Sequence, residues 1–295
     1  MSPFKGNDTI LINVNGQILN AEQAKISVFD RGFLYGDSLY EVARTYAGQL
    51  FHLDDHLVRL EKSAELCRMV LSQNQDVFRK EILRTLEAFR KESTSEAYVR
   101  IIVTRGVGKI GFGLSCVETP TQFIVIVQPV EPPSTAKFNA GLSLDISHRL
   151  RNHPQALDPA MKSGNYLNSL LAFLEAQSMD FDDALLCNSD GHVTEGTTFN
   201  VFYARRGILA TPPLEIGILD GITRREIIKI ASKIGIEVRE VRFPPERLFE
   251  ADEVFVTSSI KEVFPVTRIG ETRINSGKPG PLTLKLASAF KELTK

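Results

Sequence analysis

The chain has 295 residues, of which 43% are hydrophobic and 24% are charged. This length and composition exclude a mainly disordered chain and are typical of two domains of about 150 residues each. The 35 Lys and Arg against 36 Asp and Glu give a net charge of -1, so the overall charge favours neither nucleic acid nor an anionic membrane. We therefore expect small-molecule partners.

Targeting and metal-binding signals are missing from the sequence. The opening residues Met1–Gly6 lack the basic and apolar stretches of a secretory signal, and no apolar run reaches the roughly 20 residues needed to cross a bilayer. These features predict a cytoplasmic protein without a membrane partner. The cysteines Cys67, Cys116 and Cys187 have no CxxC spacing, so we expect neither a disulfide framework nor a metal site.

Two hairpins are predicted near the N-terminus. The strand-like run at residues 9–14 is followed by Asn15-Gly16, a pair that favours the positive φ angles of a tight hairpin turn. A second hairpin is expected over Glu41–His52, with its turn at Ala47-Gly48.

Helical and strand patterns follow the hairpins. Apolar residues from Leu57 to Cys67 recur at three- and four-residue spacing, which predicts a helix capped by Asp54 or Asp55. A second amphipathic helix is expected from Val77 to Phe89. Strands are predicted over 97–104 and 121–130, and then over 142–147, 183–188, 200–204 and 254–257, with helices over 165–177, 223–233 and 282–293.

The segment Glu131–Thr135, rich in proline and hydroxyl residues, is the best candidate for a linker. We therefore expect a small α/β domain over 1–130, a linker over 131–137 and a larger domain over 138–295.

A lysine, a glutamate and two turns stand out in the second half. Lys162 precedes a helix with an apolar Leu170, Leu171 and Leu174 face, and Glu195 lies between strand-like runs, where a carboxylate requires a cationic partner. A glycine-containing turn at 217–223 opens a helix, whose free N–H groups favour an anion such as phosphate. Thr257-Ser258-Ser259 offers further donors. Taken singly, Lys162 also fits an ordinary surface lysine, Glu195 a turn glutamate, and each of the two turns a helix cap.

Together with the segments 29–41 and 52–60, these residues resemble the fold type IV pyridoxal-phosphate (PLP) enzymes, the class IV aminotransferases. The resemblance covers essentially the whole chain and implies a two-domain α/β (α+β) fold with a small N-terminal domain and a larger pseudo-barrel domain. It implies PLP as the cofactor, transamination as the activity, and a homodimer in which a neighbour's loop completes the active site.

The resemblance also assigns roles to residues. It implies that Lys162 forms the internal aldimine and shuttles the proton, that Glu195 faces the pyridine nitrogen, and that Tyr166 reaches the ring hydroxyl. The implied phosphate ligands are Arg59, Ile222, Thr223 and Thr257, and the further cofactor contacts are Leu219, Gly221 and Ser258.

The substrate is less sharply indicated. Tyr98-Val99-Arg100 is similar to the carboxylate-binding strand of branched-chain aminotransferases, and we expect Phe33, Tyr35, Ser258 and Ser259 to line the substrate pocket. The resemblance therefore predicts ping-pong transamination of branched-chain L-amino acids with 2-oxoglutarate.

Alternatives stay open. The 107–112 loop lacks the arginine and histidine of D-amino acid aminotransferases, whereas the turns at 197–200 and 257–259 are more similar to those enzymes. Aminodeoxychorismate lyase shares the cofactor, although Tyr40-Glu41 differs from its pattern. A PLP-binding protein without catalysis is the remaining hypothesis.

Overall fold

The computed structural model describes residues 9–295, so the opening residues Met1–Gly6 lie outside the described part. The chain divides into two compact units. The first comprises the described residues up to Glu131 together with Met161–Asn165, and the second comprises Pro132–Ala160 and Tyr166–Lys295. The segment that carries Lys162 therefore belongs to the first unit, whereas the residues on both sides of it belong to the second.

The first unit is an antiparallel six-stranded sheet with helices. Its strand order is β2-β1-β6-β5-β3-β4. The strands are β1 (Leu11–Val14), β2 (Gln17–Asn20), β3 (Ser38–Tyr46), β4 (Gln49–Leu50), β5 (Ala97–Thr104) and β6 (Gln122–Pro129), and the helices are α1 (Arg31–Tyr35), α2 (Leu53–Leu66) and α3 (Gln75–Arg90).

Both predicted hairpins are confirmed. Asn15 and Gly16 have φ angles of 51° and 93°, and Ala47 and Gly48 have φ angles of 45° and 73°, the positive values that a tight hairpin turn requires. The alternation along β5 places Ala97, Val99, Ile101 and Val103 in the core beside α2 and α3.

Helix α2 begins earlier than predicted. Its N-cap is His52 in a left-handed conformation, and Asp54 and Asp55 lie in the first turn, so the predicted aspartate cap is wrong. The acidic residues are still favourable there because they face the positive end of the helix dipole. The His52 Nδ1 in addition lies 2.7 Å from an Asp55 carboxylate oxygen.

The second unit contains a mixed nine-stranded sheet of order β12-β11-β10-β13-β14-β7-β8-β9, with β15 paired to β14. The strands are β7 (Leu142–Leu150), β8 (Asp183–Cys187), β9 (Val193–Gly196), β10 (Asn200–Arg205), β11 (Ile208–Thr211), β12 (Val238–Glu240), β13 (Glu253–Ser258), β14 (Glu262–Ile269) and β15 (Thr272–Arg273). The helices are α4 (Thr135–Ala140), α5 (Leu167–Ser178), α6 (Ile222–Lys233), α7 (Glu246–Phe249) and α8 (Pro281–Leu293). This curled sheet confirms the predicted α/β class and pseudo-barrel.

Helix α5 packs small residues, and not the leucines of its apolar face, against the core. It buries Ser169, Ala172 and Ala176, and leaves Leu170 and Leu174 46% and 49% exposed. The alanines pack with Ala184 of β8. Small side chains allow the helix to approach the strand closely, which leucines at the same positions would prevent.

Two further features bear on the predicted organisation. Helix α4 begins at Thr135, inside the segment expected to be a linker, and Ser134 caps it by accepting a hydrogen bond from the Lys137 N–H. Within residues 9–295, no helix is long and apolar enough to cross a membrane.

Candidate active site

The Lys162 segment is held against the first unit by backbone hydrogen bonds. The Tyr40 N–H donates to the Lys162 carbonyl at 3.0 Å, and the Gly164 N–H donates to the Ser38 carbonyl at 2.8 Å. The Lys162 N–H in turn donates to the Ser63 hydroxyl of α2 at 3.1 Å. These contacts fix the backbone of the lysine beside β3 and α2, so its side chain starts from a rigid position.

The Lys162 ammonium lies against Tyr40. Nζ donates to the Tyr40 hydroxyl at 3.0 Å and lies 4.3 Å from the ring centroid. The Arg100 guanidinium lies 4.2 Å from the same ring, and its Nη1 is 3.5 Å from the Tyr98 hydroxyl. We call Tyr40, Tyr98, Arg100 and Lys162 the lysine cluster, which joins a candidate catalytic amine to a candidate carboxylate receptor.

Arg59 belongs to a buried polar group with Glu41 and His56. Its Nε and Nη2 donate to the two oxygens of Glu41, each at 2.7 Å, and the His56 Nδ1 also lies 2.7 Å from Glu41. Sequence patterning without the resemblance would place Arg59 on the solvated side of α2, but it is buried.

Charge states in this group follow from burial and pairing. Burial alone raises the pKa of Glu41, but the charge and hydrogen bonds of Arg59 and His56 outweigh it and hold that pKa well below its usual range. Burial lowers the pKa of His56 more than Glu41 raises it, and Arg59 and Lys162 lower it further. At neutral pH, His56 is therefore neutral and its Nδ1–H donates to the ionised Glu41.

Tyr40, Glu41 and His56 were not among the predicted site residues. A signal for part of this group is present in the sequence, because His56, Arg59 and Ser63 recur at helical spacing among the buried leucines of α2. Polar residues on a buried helix face require partners, which indicates a buried polar site on that face.

In the second unit, Glu195 lies on β9 and is buried. Its Oε1 accepts a 3.0 Å hydrogen bond from Arg151 Nε, and its Oε2 accepts from the Leu219 N–H at 3.1 Å and from the Asn200 amide at 3.3 Å. We call Arg151, Glu195, Asn200 and Leu219 the glutamate cluster. Arg151 is the cationic partner that we expected for Glu195 but could not identify from the sequence.

The predicted phosphate ligands of the second unit lie near this cluster. Helix α6 begins after the N-cap Gly221, which places Ile222 and Thr223 in its first turn. Asn200 pairs with Thr257 across β10 and β13, and its side-chain amide also donates to the Leu219 carbonyl at 3.0 Å. Asn200 therefore connects the strand that carries Thr257 to the turn that opens α6.

Gly221 is required at this turn. A Cβ on residue 221 would lie 2.0 Å from Asn200 Oδ1, closer than any real contact. Nearby, the Thr257 hydroxyl is buried and has no hydrogen-bond partner among the described residues. A buried hydroxyl without a partner is costly, so this atom is suited to donate to a bound anion.

The remaining predicted residues lie in several environments. Tyr166 is the half-buried N-cap of α5, and Ser258 accepts a 3.0 Å hydrogen bond from the Lys261 N–H. The Lys261 ammonium lies 3.4 Å from Asp183 and was not predicted. Ser259 follows Ser258 at the end of β13 and is half-buried.

Two predicted substrate residues lie on α1. The Phe33 side chain is 66% exposed, and the Tyr35 hydroxyl accepts a 2.9 Å hydrogen bond from the Gly111 N–H. Tyr35 therefore contacts the 106–116 loop. Within residues 9–295, no three or more His, Cys, Asp or Glu side chains are grouped so that they could hold a metal ion.

Comparison with known proteins identifies the family. A family model described as amino-transferase class IV matches residues 38–269, which is most of the chain. The chain belongs to the class IV aminotransferases. As a class IV aminotransferase, it is a PLP-dependent enzyme.

Relatives of this aminotransferase cover nearly its whole length. It is 38% identical over 283 residues to a Methanocaldococcus jannaschii protein provisionally named a branched-chain-amino-acid aminotransferase, with 96% of both chains covered. It is 33% identical over 287 residues to the Escherichia coli branched-chain-amino-acid aminotransferase, covering 94% of this chain and 90% of the relative. It is also 34% identical over 285 residues to the aminodeoxychorismate lyase of Bacillus subtilis, covering 96% and 94%.

Solved structures agree with the fold. The E. coli branched-chain aminotransferase matches with a TM-score of 0.89 at 31% identity, covering 97% of this chain and 95% of that one. The branched-chain aminotransferase of Thermobaculum terrenum in its PLP form matches with a TM-score of 0.87 at 29% identity, covering 98% of this chain and 95% of that one.

The residues present in this aminotransferase fit the cofactor. PLP requires an amine, a carboxylate for its ring nitrogen and donors for its phosphate. Lys162 supplies an amine, Glu195 is an ionisable carboxyl with fixed donors, and the start of α6 with the unpartnered Thr257 hydroxyl suits a phosphate.

Proposed function

We propose that the chain transfers the amino group of branched-chain and other hydrophobic L-amino acids to 2-oxoglutarate by a ping-pong mechanism. The observation that carries this proposal is the identity of 33–38% to branched-chain aminotransferases over nearly the whole chain. The lysine cluster supports it, because a candidate catalytic amine and a candidate carboxylate receptor contact the same tyrosine ring.

Cofactor positions are part of the proposal. Lys162 would carry the cofactor, Glu195 would face its ring nitrogen and Tyr166 its ring hydroxyl. Arg59, Ile222, Thr223 and Thr257 would hold the phosphate, with contacts from Leu219, Gly221 and Ser258.

In this mechanism, bound PLP would supply an acceptor for the electron pair left when the substrate Cα–H bond breaks. Lys162 Nζ would take that proton from Cα and return it to C4′ of the cofactor, because a positioned amine is a suitable general base. The Tyr40 hydroxyl, 3.0 Å from Nζ, would hold the amine in place between the two transfers. Glu195 would keep a proton on the ring nitrogen, since a carboxylate beside it favours the charged form.

Substrate recognition is assigned to the other members of the lysine cluster. Arg100 is cationic and its guanidinium lies beside Tyr98, so the two would receive a carboxylate. Phe33 and Tyr35, with Ser258 and Ser259, would contribute to a pocket for the side chain. An apolar wall with a few polar groups suits hydrophobic amino acids.

The test is a single-turnover reaction of the purified holoenzyme with L-leucine, D-alanine or L-glutamate, followed by the visible absorbance of the cofactor. We expect rapid conversion by L-leucine and L-glutamate but not by D-alanine. Conversion by D-alanine alone would overturn the L-specific proposal in favour of a D-amino acid aminotransferase.

The catalytic amine has its own test. Lys162→Ala is expected to bind PLP noncovalently and to lose steady-state turnover, because no other residue is proposed as the base. Appreciable turnover in this variant would contradict the role of Lys162. Lys295→Ala, on an exposed side chain with a surface ion pair, is the control and should keep full activity.

A second candidate is aminodeoxychorismate lyase activity, favoured by 34% identity to the Bacillus subtilis enzyme over 285 residues. The two activities release different products, since the lyase would release pyruvate. Coupling the reaction on aminodeoxychorismate to a pyruvate assay separates them: pyruvate release without amino exchange would replace the transaminase proposal. Absence of both activities with an intact cofactor spectrum would favour a noncatalytic PLP-binding protein.

We also propose that the enzyme is a homodimer, as the family resemblance implies. The 106–116 loop exposes the large apolar residues Ile110, Phe112 and Leu114 within five positions, which supports a protein interface on this loop. Light scattering on a sizing column should give twice the chain mass of 32.9 kDa. A monomer mass would contradict the proposal.

A further inference from the structure

Arg151 was not among the predicted site residues, yet it supplies positive charge to the carboxylate of Glu195. We propose that Arg151 is a positioning residue for the reaction, which holds the Glu195 carboxylate in one orientation and places a fixed positive charge beside it. This inference rests on the proposed role of Glu195 and deepens it.

The contact is close and well shielded. Arg151 Nε and Nη2 each lie 3.0 Å from Oε1 of Glu195, and the two side chains are 16% and 6% exposed. At this burial, solvent screens the attraction less than at the surface. Removing the guanidinium would leave a buried carboxylate without its cation, which is energetically costly.

The pair is held by the sheet. Arg151 directly follows β7, and its N–H donates to the Cys187 carbonyl at the end of β8 at 2.8 Å. Glu195 lies on β9, which pairs with β8. Both residues are thus fixed to the same strand β8, so their separation does not depend on a mobile loop.

The two carboxylate oxygens have different donors. Arg151 binds Oε1, while the Leu219 N–H and the Asn200 amide bind Oε2. Rotation of the carboxylate would break the contacts of both oxygens. Among these donors only Arg151 carries a charge, and it carries that charge at every pH of interest because a guanidinium does not deprotonate in proteins.

These contacts have a consequence for the chemistry. The Glu195 carboxylate would accept a hydrogen bond from the protonated ring nitrogen, and its orientation decides whether an oxygen faces that nitrogen. Arg151 therefore favours the protonated ring nitrogen through Glu195 and without touching the cofactor. Loss of Arg151 should therefore have the same kind of effect on the cofactor as replacement of the Glu195 carboxylate.

The experiment compares holoenzymes of Arg151→Gln, Arg151→Lys, Glu195→Gln and the Arg151→Gln/Glu195→Gln double variant. The readouts are the visible spectrum of the bound cofactor against pH and the PLP dissociation constant. Arg151→Gln should shift the spectrum and its pH midpoint in the same direction as Glu195→Gln, and should weaken PLP binding by about tenfold, as loss of an outer partner does in metal sites.

The double variant tests whether Arg151 acts through Glu195. If it does, the double variant should match Glu195→Gln alone, because the two changes remove one interaction. Additive effects would overturn the proposal. Arg149→Gln is the matched control, since Arg149 lies on β7 two residues before Arg151 and pairs with Glu175; its cofactor spectrum should remain that of the wild type.

Other outcomes are equally decisive. A normal spectrum in Arg151→Gln beside an altered one in Glu195→Gln would overturn the role of Arg151 alone. A normal spectrum in Glu195→Gln would remove the assigned role of Glu195 and this inference with it, while L-leucine conversion would still report the transaminase activity separately. If Arg151→Gln does not fold, Arg151→Lys provides the test, because it keeps the positive charge. Arg151→Lys should keep the wild-type spectrum. A spectrum like that of Glu195→Gln would contradict the charge argument.

Discussion

Arg59 and Glu41 form a buried ion pair in which two guanidinium nitrogens each donate a 2.7 Å hydrogen bond to a different carboxylate oxygen. The pair fixes the plane of the guanidinium and balances its charge within the first unit. If Arg59 binds the cofactor phosphate as proposed, it does so as an oriented donor whose position is set by a residue on β3. Glu41 then matters for cofactor binding without contacting the cofactor.

Replacing Glu41 with Gln should destabilise the protein strongly. The change leaves Arg59 buried without its anion, and breaking one side of such a pair costs about 3–5 kcal/mol. We expect a lower urea midpoint and weaker PLP binding. Glu118→Gln, which breaks an exposed pair with Lys109, is the control and should change the midpoint little. Equal shifts in the two variants would contradict the role of Glu41.

The stability of the protein should decrease as the pH falls below 6.5. His56 has a lowered pKa when folded, so below 6.5 the unfolded chain takes up a proton that the folded chain does not. The free energy of unfolding should then fall by up to about 1.4 kcal/mol per pH unit from this group. Glu41, whose folded pKa is also lowered, adds to the loss only below its unfolded value of 4.5.

Urea unfolding at several pH values between 4.5 and 6.5 checks this expectation for His56. The variant His56→Asn keeps a donor near the position of Nδ1 but cannot titrate, so its pH dependence in this window should be weaker. An unchanged slope in His56→Asn would contradict the assignment.

Replacing Tyr40 with Phe should slow proton transfer while sparing the fold. The change removes the hydroxyl that binds Lys162 Nζ at 3.0 Å but keeps the ring between the two cations. A hydrogen bond to a charged group contributes about 1.5–3 kcal/mol, so the single-turnover rate with L-leucine should fall about 10- to 100-fold. The thermal midpoint reports stability and should change little. An unchanged rate would remove Tyr40 from the mechanism.

Replacing Gly221 with Ala should weaken cofactor binding. The new Cβ would lie 2.0 Å from Asn200 Oδ1, so Asn200 must move and release Glu195 and the Leu219 carbonyl. We expect the PLP dissociation constant to rise about tenfold, which corresponds to about 1.4 kcal/mol.

Two variants check this explanation for Gly221→Ala. Gly235→Ala, beyond the other end of α6 with open space around it, adds backbone strain but should not change PLP binding. In an Asn200→Ala background, Gly221→Ala should have little further effect, because the clash is gone. A full effect in that background would contradict the steric explanation.

Cys187 should resist alkylation in the folded protein. Burial raises the pKa of its thiol from 9.0 to about 11, which lowers the thiolate fraction about 100-fold at pH 8. Peptide-level mass spectrometry after iodoacetamide treatment should find Cys187 unmodified when folded and modified in urea. Rapid modification of Cys187 without denaturant would contradict its burial.

The features that the sequence predicted well are local ones. The Asn15-Gly16 turn, the α3 pattern and the start of α6 depend on neighbouring residues, so spacing and turn preference are enough. The buried face of α5 could not be read from the sequence, because hydrophobicity alone ranks leucine above alanine, whereas close packing against β8 selects the small residues.

The site partners were harder to predict because they are distant in sequence. Glu41 meets Arg59 across 18 positions, Arg151 meets Glu195 across 44, and Tyr40 meets Lys162 across 122. No periodicity connects such pairs. The family resemblance indicated single ligands, while the residues that orient them emerged only from the three-dimensional contacts.

The placement of Lys162 in the first unit has a consequence for synthesis on the ribosome. When residue 131 has emerged, the first unit still lacks the segment 161–165 that pairs with β3. This edge of β3 stays unpaired until residues 132–160, and then the segment 161–165, have also left the exit tunnel. A nascent chain released before residue 161 would therefore fold without its reactive lysine and with an open strand edge, a state that chaperones and aggregation both target.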